Sequence, residues 1–218
     1  MMVSAEQDPR RAGTIWALTL DHLPPEVMPL VPATFDQLDA QAAPELVEAV
    51  GGDVLAEVRR RLRLGRRCYA ARVDGRLAAY GWVSFGEELI GELDLRVRLR
   101  PDEAYIWNCA TLPAFRRRHL YSALLVYIAR ELGKAGAKRL WIGADLENVS
   151  SQRGIARAGF THVADLLIAR VLALRQVWVQ GCPGVPDDLV EQARRAFLND
   201  RHKIWLRVVD ALPRQQPD

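Results

Sequence analysis

Three consecutive arginines, Arg116 to Arg118, stand just before a segment with the apolar spacing of a helix, which we expect to begin near Leu120. The first turn of a helix leaves backbone N–H groups without partners and carries roughly half a positive charge, so an anion can bind there. Cations at that end are unfavourable by up to about 1 kcal/mol unless an anion offsets them. The pattern therefore indicates a site for an anionic, phosphate-bearing ligand, with a solvated basic turn as the alternative.

The elements around this turn follow a definite order. Residues 104–111 are rich in strand formers and stop before Pro113, because proline interrupts a strand ladder. After the helix, residues 136–143 predict a second strand, entered from a glycine-closed helix end. Residues 148–159 then predict another helix, which ends at Gly159. The order is strand, anion-binding turn, helix, strand and helix.

This succession resembles the GNAT superfamily of acyl-CoA-dependent N-acyltransferases over residues 104–160, about a quarter of the chain. In that family the turn follows the pattern Arg or Gln, two residues, Gly, one residue, Gly or Ala. Arg116 takes the first place, while His119 and Tyr121 occupy the two glycine places, where glycine would allow a close approach of the backbone to a pyrophosphate. The resemblance implies an α/β (α+β) fold with a mixed, mostly antiparallel central sheet, flanking helices and a splayed central strand pair.

The resemblance also implies an acetyl-CoA (acyl-CoA) cofactor and its contacts. The acyl-pantetheine arm would enter beside the central strand, whose backbone groups would hold it, and the turn would take the pyrophosphate. The residues expected to contact the cofactor are Cys109, Ala110, Thr111, Leu112, Arg116, Arg117, Arg118, His119, Leu120, Tyr121, Ser122, Asn148 and Ser151.

Acyl transfer to an amine needs a group that removes a proton from the amine and a donor for the departing thiolate. Many relatives use a tyrosine as the donor, but this chain has Ile155 at that place, and isoleucine cannot donate a proton. Tyr121 is the first candidate to replace it, and Tyr105, Cys109 and His119 are the other nearby candidates. For the base we consider Glu103 and Glu92, carboxylates near strand ends that could act through a water; each could equally be a surface residue.

Composition narrows the classes of function. With 218 residues, half of them hydrophobic, the chain is long enough for one sizeable core. The formal net charge of +3 with interspersed signs argues against a nucleic-acid-binding tail. Three widely spaced cysteines show no metal-ligand spacing, so we predict no metal, no disulfides and a cytoplasmic location. No apolar run has transmembrane length, which predicts no membrane association.

The domain organisation is read from turn signals and periodicity. We expect a mobile N-terminal tail over residues 1–13, an acyltransferase domain over 14–180 and a C-terminal extension over 181–218 that packs on the same domain. The remaining predicted elements are a strand at 14–20, helices at 36–50 and 53–64, a hairpin at 68–85 around an Asp-Gly turn, a strand at 93–99 pairing with the strand near residue 105, one or two strands at 166–179, a helix at 187–198 and a strand at 204–209.

A second arginine cluster spans residues 59–67. A docking surface for an acidic acceptor or RNA is one interpretation, but the arginines spread around more than one helix face and no aromatics interleave with them. We therefore expect a solvated helix end. Trp82, Trp107 and Trp141 fall in predicted strands and are expected in the core or the cleft wall.

Two hypotheses from different classes follow. The chain is an acetyl-CoA-dependent N-acetyltransferase acting on a primary amine of a small molecule, or it is a binding or regulatory module of the same fold with weak or no activity. Neither a nucleic acid nor a membrane is expected as a partner. The oligomeric state is open, with a homodimer among the options.

Overall fold

The computed structural model describes residues 9–22, 24–51, 54–90, 95–171 and 174–198, without the side chains of 170, 171 and 174–176. Within these ranges the chain forms ten strands and five α-helices. The strands are β1 (Arg10–Thr19), β2 (Thr34–Leu38), β3 (Arg67–Val73), β4 (Arg76–Ser84), β5 (Glu87–Ile90), β6 (Leu95–Arg98), β7 (Glu103–Thr111), β8 (Arg139–Asp145), β9 (Thr161–Val171) and β10 (Leu174–Gly181). The helices are α1 (Ala43–Val50), α2 (Leu55–Arg63), α3 (Leu120–Lys134), α4 (Val149–Arg157) and α5 (Asp187–Phe197).

Eight strands form the main sheet in the order β10-β9-β1-β8-β7-β4-β3-β2. Only the central pair of this sheet, β7 and β8, runs parallel, and α3 connects its two strands. Every other neighbouring pair is antiparallel. The predicted fold class, a mixed and mostly antiparallel sheet flanked by helices, is confirmed.

The hairpin of β3 and β4 forms as predicted. Asp74 and Gly75 both adopt positive φ, 50° and 73°, the conformation that a tight two-residue hairpin turn requires. The expected partner of the next strand is wrong, however. β6 pairs with the short β5 in a separate two-stranded sheet and not with the strand near residue 105.

Two other sequence predictions need correction. β1 begins at Arg10, which pairs with Ile168, so residues 10–13 belong to the sheet and not to a mobile tail. Residues 36–38, expected in a helix, lie in β2, where they pair antiparallel with residues 68–70 of β3, and the helix begins only at Ala43. The predicted strand at 204–209 lies outside the described residues.

Helices cover both faces of the sheet. α3 lays Leu124, Leu125 and Ile128, all fully buried, against one face, where Ile155 of α4 joins the same cluster. On the other face, Phe197 of α5 makes edge-to-face contacts with the Trp141 ring at 5.9 Å. The chain beyond residue 180 therefore packs on the sheet as far as the structure describes it. Among the described helices, none is long and apolar enough to cross a membrane.

Candidate acyl-CoA site

The parallel pair at the centre of the sheet separates halfway along its length. The ladder between β7 and β8 runs from Glu103, opposite Arg139, to Ile106, opposite Ile142. Beyond that point β7 continues to Thr111 paired with β4 alone. β8 continues to Asp145 paired with β1. A gap with strand backbone on both sides therefore opens after Ile106, as a splayed central pair requires.

A bulge in β7 determines which side chains line this gap. Asn108 has a φ of 45°, and the register against β4 shifts between Tyr80 and Trp82. Bulges of this kind redirect the side chains that follow them. Cys109 turns toward α3, and its Sγ lies only 2.8 Å from the position that a Cβ on Gly81 would occupy. A side chain at residue 81 would therefore collide with the thiol.

The turn after β7 adopts the conformation that a glycine-rich loop would supply. A 3-10 turn at Pro113–Phe115 follows the strand, and Arg117 and His119 then have positive φ of 62° and 59°. His119 precedes α3 and occupies the first family glycine place in the left-handed region. Asn, Asp and His enter this region more readily than other residues that carry a Cβ. Tyr121, at the second glycine place, is in the helix and needs no glycine backbone.

The backbone N–H groups of residues 117–122 make no hydrogen bond of standard geometry with the described residues, although Arg118 N–H weakly closes the turn that follows the 3-10 segment. Leu120 to Ser122 form the first turn of α3, where intrahelical partners do not exist. The carbonyl of Arg118 faces the other way and accepts a bond from Leu30 N–H at 2.9 Å. Successive N–H groups of this kind, two of them on left-handed residues, have the arrangement of a nest, in which backbone amides can bind an anion.

The three arginines of the turn lie at the protein surface. Arg116 and Arg117 are exposed, and Arg118 lies at 5.8 Å over the Phe115 ring. Arg116 Nε donates to the carbonyl of Thr111 at 3.3 Å, which directs the side chain back along the strand end. Two of the three arginine side chains therefore have defined contacts with residues at the end of β7 and in the 3-10 turn.

The Tyr121 ring packs against α4 at a position occupied by a glycine. The Tyr121 ring covers Gly154, and a Cβ there would lie 2.5 Å from its Cδ1. Its hydroxyl lies 3.2 Å from Ser151 Oγ. Burial raises the pKa of the Tyr121 hydroxyl well above its usual range, so the group stays protonated at neutral pH. Glycine at 154 thus allows the bulky residue that replaces a family glycine.

Some of the residues predicted to contact the cofactor already form hydrogen bonds within the protein. Ser122 is buried, and its hydroxyl donates to the carbonyl of Gly154 at 2.9 Å, which ties α3 to α4. Leu112 N–H donates to the carbonyl of Ala78 at 2.9 Å. Asn148 Oδ1 accepts the N–H of Ser151 at 3.1 Å and caps α4. These three groups hold the site together. The cofactor contacts of Ser122, Leu112 and Asn148 stay predictions, and they would be made through other atoms of these residues.

The opposite face of the opening carries a stack that the sequence did not predict. Arg61 of α2 lies 4.6 Å over the Trp107 ring and 5.2 Å over the Trp82 ring. Trp107 Nε1 donates to Ser84 Oγ at 2.7 Å, and Ser84 in turn is bonded to the buried Glu88. Trp107 is the first residue of the open half of β7, so this network fixes the wall on the side away from α3.

Arginines pair with both carboxylates of this wall. Arg66 Nε lies 2.5 Å from Glu88, and the pKa of Glu88 is lowered, against the effect of its burial, by Arg66 and Ser84. Hydrogen bonds from Arg60 and Arg61 hold the pKa of Glu57 at about 2. Of the remaining arginines in the basic cluster, Arg59 and Arg63 are exposed as expected, whereas Arg67 is partly buried and lies 4.9 Å over the Phe85 ring.

Glu103 lies at the closed end of β7, away from the gap. Its carboxylate is buried, accepts two bonds of 2.9 Å from Arg195 and a third of 2.9 Å from the N–H of Arg100. Eight residues, or about 26 Å of extended chain, separate it from Thr111. This position fits an ion pair that anchors α5 and not a base at the acyl site. Glu92, the other predicted base, lies outside the described residues.

Sequence reasoning missed Gly81, Asn108, Gly154 and Glu88. Asn in a strand pattern is a weak signal for a bulge, because Asn tolerates positive φ better than most residues. The two glycines are recognised only from the side chains that approach them, Cys109 and Tyr121. No local pattern distinguishes Glu88 from its neighbour Glu87, since burial depends on the pairing of β5.

A mixed sheet whose single parallel pair opens beside an anion-binding helix start defines an acyl-CoA acyltransferase type of fold. The chain belongs to the acetyltransferase (GNAT) family, whose model matches residues 35–160. This match is more than half of the sequence and extends well beyond the segment on which the resemblance was based. No curated protein sequence matches the chain.

Solved structures share the fold. A GNAT-family acetyltransferase from Colwellia psychrerythraea matches with a TM-score of 0.51 and 12% identity, over 81% of this chain and 58% of that one. A structure described as a GNAT-family acetyltransferase from Novosphingobium aromaticivorans gives 0.47 and 21%, over 70% and 60%. The aminoglycoside N-acetyltransferase AAC(6')-Iy in complex with CoA gives 0.48 and 18%, over 66% and 98%. The chain spans about three fifths of the length of the first two proteins.

Proposed function

We propose that this chain transfers an acetyl group from acetyl-CoA to a primary amine of a small molecule. The observation that carries the proposal is the continuity of the β7–β8 opening with the backbone amides of residues 117–122. The opening offers strand backbone to an extended arm, and the amides offer donors to a pyrophosphate. Acetyl-CoA is a molecule that presents these two parts in this order.

The fit of the cofactor rests on residues of both segments. The backbone of Cys109, Ala110 and Thr111 would hold the pantetheine arm. The three arginines of the turn, Arg116 to Arg118, would neutralise the phosphates. The bound cofactor supplies an activated acyl thioester. The gap in the sheet admits such a chain because no ladder closes it beyond Ile106.

Tyr121 is the residue that we propose as donor to the leaving sulfur. Because burial raises the pKa of this hydroxyl, it would keep its proton and stabilise the developing thiolate by a hydrogen bond, and the thiolate would take its proton from solvent. Ser151 lies 3.2 Å from that hydroxyl and would orient it. This arrangement takes a donor from α3 where many relatives take one from α4, at the place of Ile155.

We assign no carboxylate as the base. Glu57 and Glu88 near the wall are held ionised by arginines, and a carboxylate with a pKa of about 2 accepts a proton poorly at neutral pH. The acceptor amine would then lose its proton to water in the open mouth. Trp107 and Arg61 would form the acceptor side of the pocket.

A thermal-shift titration with acetyl-CoA tests the cofactor site. Cofactor at about 100 times its dissociation constant should stabilise the protein by roughly 2.7 kcal/mol. The double variant Arg116→Ala/Arg118→Ala should lose most of the shift. The matched control Arg59→Ala/Arg63→Ala removes two exposed arginines of α2 and should keep it. An equal shift in both double variants, or none in the wild type at millimolar cofactor, would overturn the assignment.

A second candidate, an acyl-CoA-binding module without turnover, is favoured by the Tyr121 ring that covers Gly154 beside the opening. An amine screen that follows free thiol release separates the two candidates. Release that depends on an amine supports the enzyme, and Tyr121→Phe should then lower kcat by 10-fold or more with little change in KM. Cofactor binding without release from any amine supports the module.

A further inference from the structure

A cluster of three metal-ligand side chains lies on a different part of the sheet, where β9 and β10 meet β1. His162 and Asp165 of β9 and Cys182, just after β10, each offer one ligand atom, and these atoms all lie within 4.8 Å of one another. All three residues are partly buried. The cluster is separate from the acyl-CoA site, since β1 lies between β9 and β8.

A bulge brings two of these residues to the same face. In a regular strand, residues three apart point to opposite faces. The register between β1 and β9 shifts between Ile15 and Trp16, where Ile15 pairs with Ala164 and Trp16 with His162. Val163 is therefore the extra residue, and the shift turns His162 to the side of Asp165. Their side chains meet with His162 Nε2 3.0 Å from Asp165 Oδ1.

The hairpin places the third residue. Cys182 N–H donates to the carbonyl of Val163 at 2.9 Å, which holds the cysteine beside the bulge. The Trp16 ring stacks on the His162 imidazole at 4.8 Å, and Trp16 Nε1 donates to Thr14 Oγ1 at 2.9 Å. The imidazole is therefore held in orientation by a ring that is itself fixed.

We propose that His162, Asp165 and Cys182 bind a zinc ion, with water at the fourth position. Imidazole, carboxylate and thiolate are the three ligand types of zinc sites, and three protein ligands leave one open position. Ligand atoms of a tetrahedral zinc lie about 3.3 to 3.7 Å apart, given bond lengths of about 2.0 to 2.3 Å. The imidazole–carboxylate pair needs to open slightly, and the longest separation needs to close by about 1 Å. Rotation of the Cys182 side chain, which is partly exposed, would supply the second change.

The protonation states balance in a simple way. Cys182 binds zinc as the thiolate. Zinc binding breaks the S–H bond, forms the S–Zn bond and releases one proton to solvent. His162 binds through Nε2 and keeps its proton on Nδ1.

Arg11 is the charged group that faces the cluster from β1. Its guanidinium pairs at 2.6 Å with Asp165 Oδ2, the oxygen that does not face His162. Ligating carboxylates are commonly hydrogen-bonded in this way through their second oxygen. Arg11 is half exposed, so its positive charge is well solvated. With thiolate, carboxylate and a divalent ion, the three ligands leave the site neutral apart from this arginine.

The expectation of no metal rested on the spacing of cysteines and histidines along the sequence. Here the ligands are brought together by a bulge and by the end of a hairpin, and neither feature can be recognised from the spacing of residues along the sequence. A zinc ion would join β9 to the segment that leads into α5, and α5 carries Arg195, the partner of Glu103. The metal would therefore stabilise the C-terminal part of the fold.

Cobalt substitution tests the site in the full-length protein. Metal-free wild-type protein titrated with Co²⁺ should show a thiolate-to-cobalt charge-transfer band at one equivalent, removed by added Zn²⁺. Cys182→Ser should show no such band, and His162→Ala should bind at least about 10-fold more weakly. The control Cys68→Ala removes a different, buried thiol and should keep the band.

Metal-dependent stability provides an independent measurement. Zn²⁺ should raise the unfolding temperature of the wild type and of Cys68→Ala, but not of Cys182→Ser, with all three compared against their own midpoints in EDTA. Absence of a charge-transfer band in the wild type, or its survival in Cys182→Ser, would overturn the proposal. So would an equal stabilisation of Cys182→Ser by Zn²⁺, because surface binding by other residues would then explain it.

Discussion

The two halves of β7 share one strand and differ in almost every physical respect. Residues 103–106 all pair with β8, Tyr105 and Ile106 pair with β4 as well, and all four residues are buried. The carboxylate of Glu103 is neutralised there by Arg195. Residues 107–111 pair with β4 alone, include a left-handed Asn108 and are at least partly exposed. The change occurs within one residue, after Ile106.

This difference shows how the fold separates stability from binding. In the closed half, the backbone groups form hydrogen bonds with neighbouring strands and the charge of Glu103 is paired with Arg195. This half therefore contributes to the free energy of folding. The open half leaves one edge of the strand without a partner in the described part of the chain, and such an edge accepts an extended ligand by the hydrogen bonds that a strand would make. The predictions below test this division, first in the closed half.

Glu103→Gln should be the most destabilising of these changes, by about 3 kcal/mol, because it leaves the partly buried Arg195 and Arg139 without the counter-charge of a buried carboxylate. Arg195 Nε and Arg139 Nε are already buried without a hydrogen-bond partner, so no alternative acceptor is at hand. Urea unfolding measures the effect. The exposed Glu87, which pairs with Arg96 and Arg98, is the control, and Glu87→Gln should leave the midpoint unchanged. Loss of acetyl transfer at unchanged stability would instead make Glu103 a base.

Gly154→Ala should destabilise the open side by about 2 kcal/mol, since the new Cβ would lie 2.5 Å from the Tyr121 ring. The effect should reverse in a Tyr121→Ala background. With the ring gone, alanine is favoured over glycine in a helix by about 1 kcal/mol. A double-mutant cycle by urea unfolding measures this coupling. Equal effects of Gly154→Ala in both backgrounds would show that the two residues do not share this space.

Cys109 should give the open half a distinct dependence on alkaline pH. Burial raises the pKa of the thiol to about 12 from an ordinary value near 9. The folded state thus favours the protonated form, and this contribution is complete below about pH 9 and is lost as the pH rises toward 12. Wild-type stability should therefore fall more steeply than that of Cys109→Ala, by about 1 kcal/mol at pH 10. Parallel curves from urea unfolding at each pH would contradict the burial of the thiol.

Glu57 should have the smallest effect, at the wall of the opening. Arg60 and Arg61 hold its pKa at about 2, so its stabilising contribution is present above pH 4.5 and is lost as the pH falls toward 2. The side chain is more than a third exposed, which limits the contribution to less than about 1 kcal/mol. The difference between wild type and Glu57→Gln in acid unfolding measures it. A larger loss would mean that the Arg61 stack on Trp107 depends on this carboxylate.

Much of the architecture was predictable because its signals are local. The start of α3 at Leu120, the Asp-Gly hairpin and the order from β7 to α4 all follow from periodicity and turn residues. β2 was mistaken for the beginning of a helix because five residues at the sheet edge give too short a pattern. The predicted partner of β6 was wrong because the residues of a strand do not specify which other strand pairs with it.

For the candidate site, the sequence alone determined that a basic turn precedes a helix after a strand, and that His119 and Tyr121 occupy positions where the family has glycine. Only the tertiary structure decided that the sheet opens after Ile106, that Tyr121 packs on Gly154 and that Glu103 lies at the closed end of β7. Periodicity indicates which positions of a helix or strand share its buried face, because the direction of each side chain follows from the local backbone geometry. Register, bulges and long-range pairing decide which buried positions meet, and they arise only when distant strands come together.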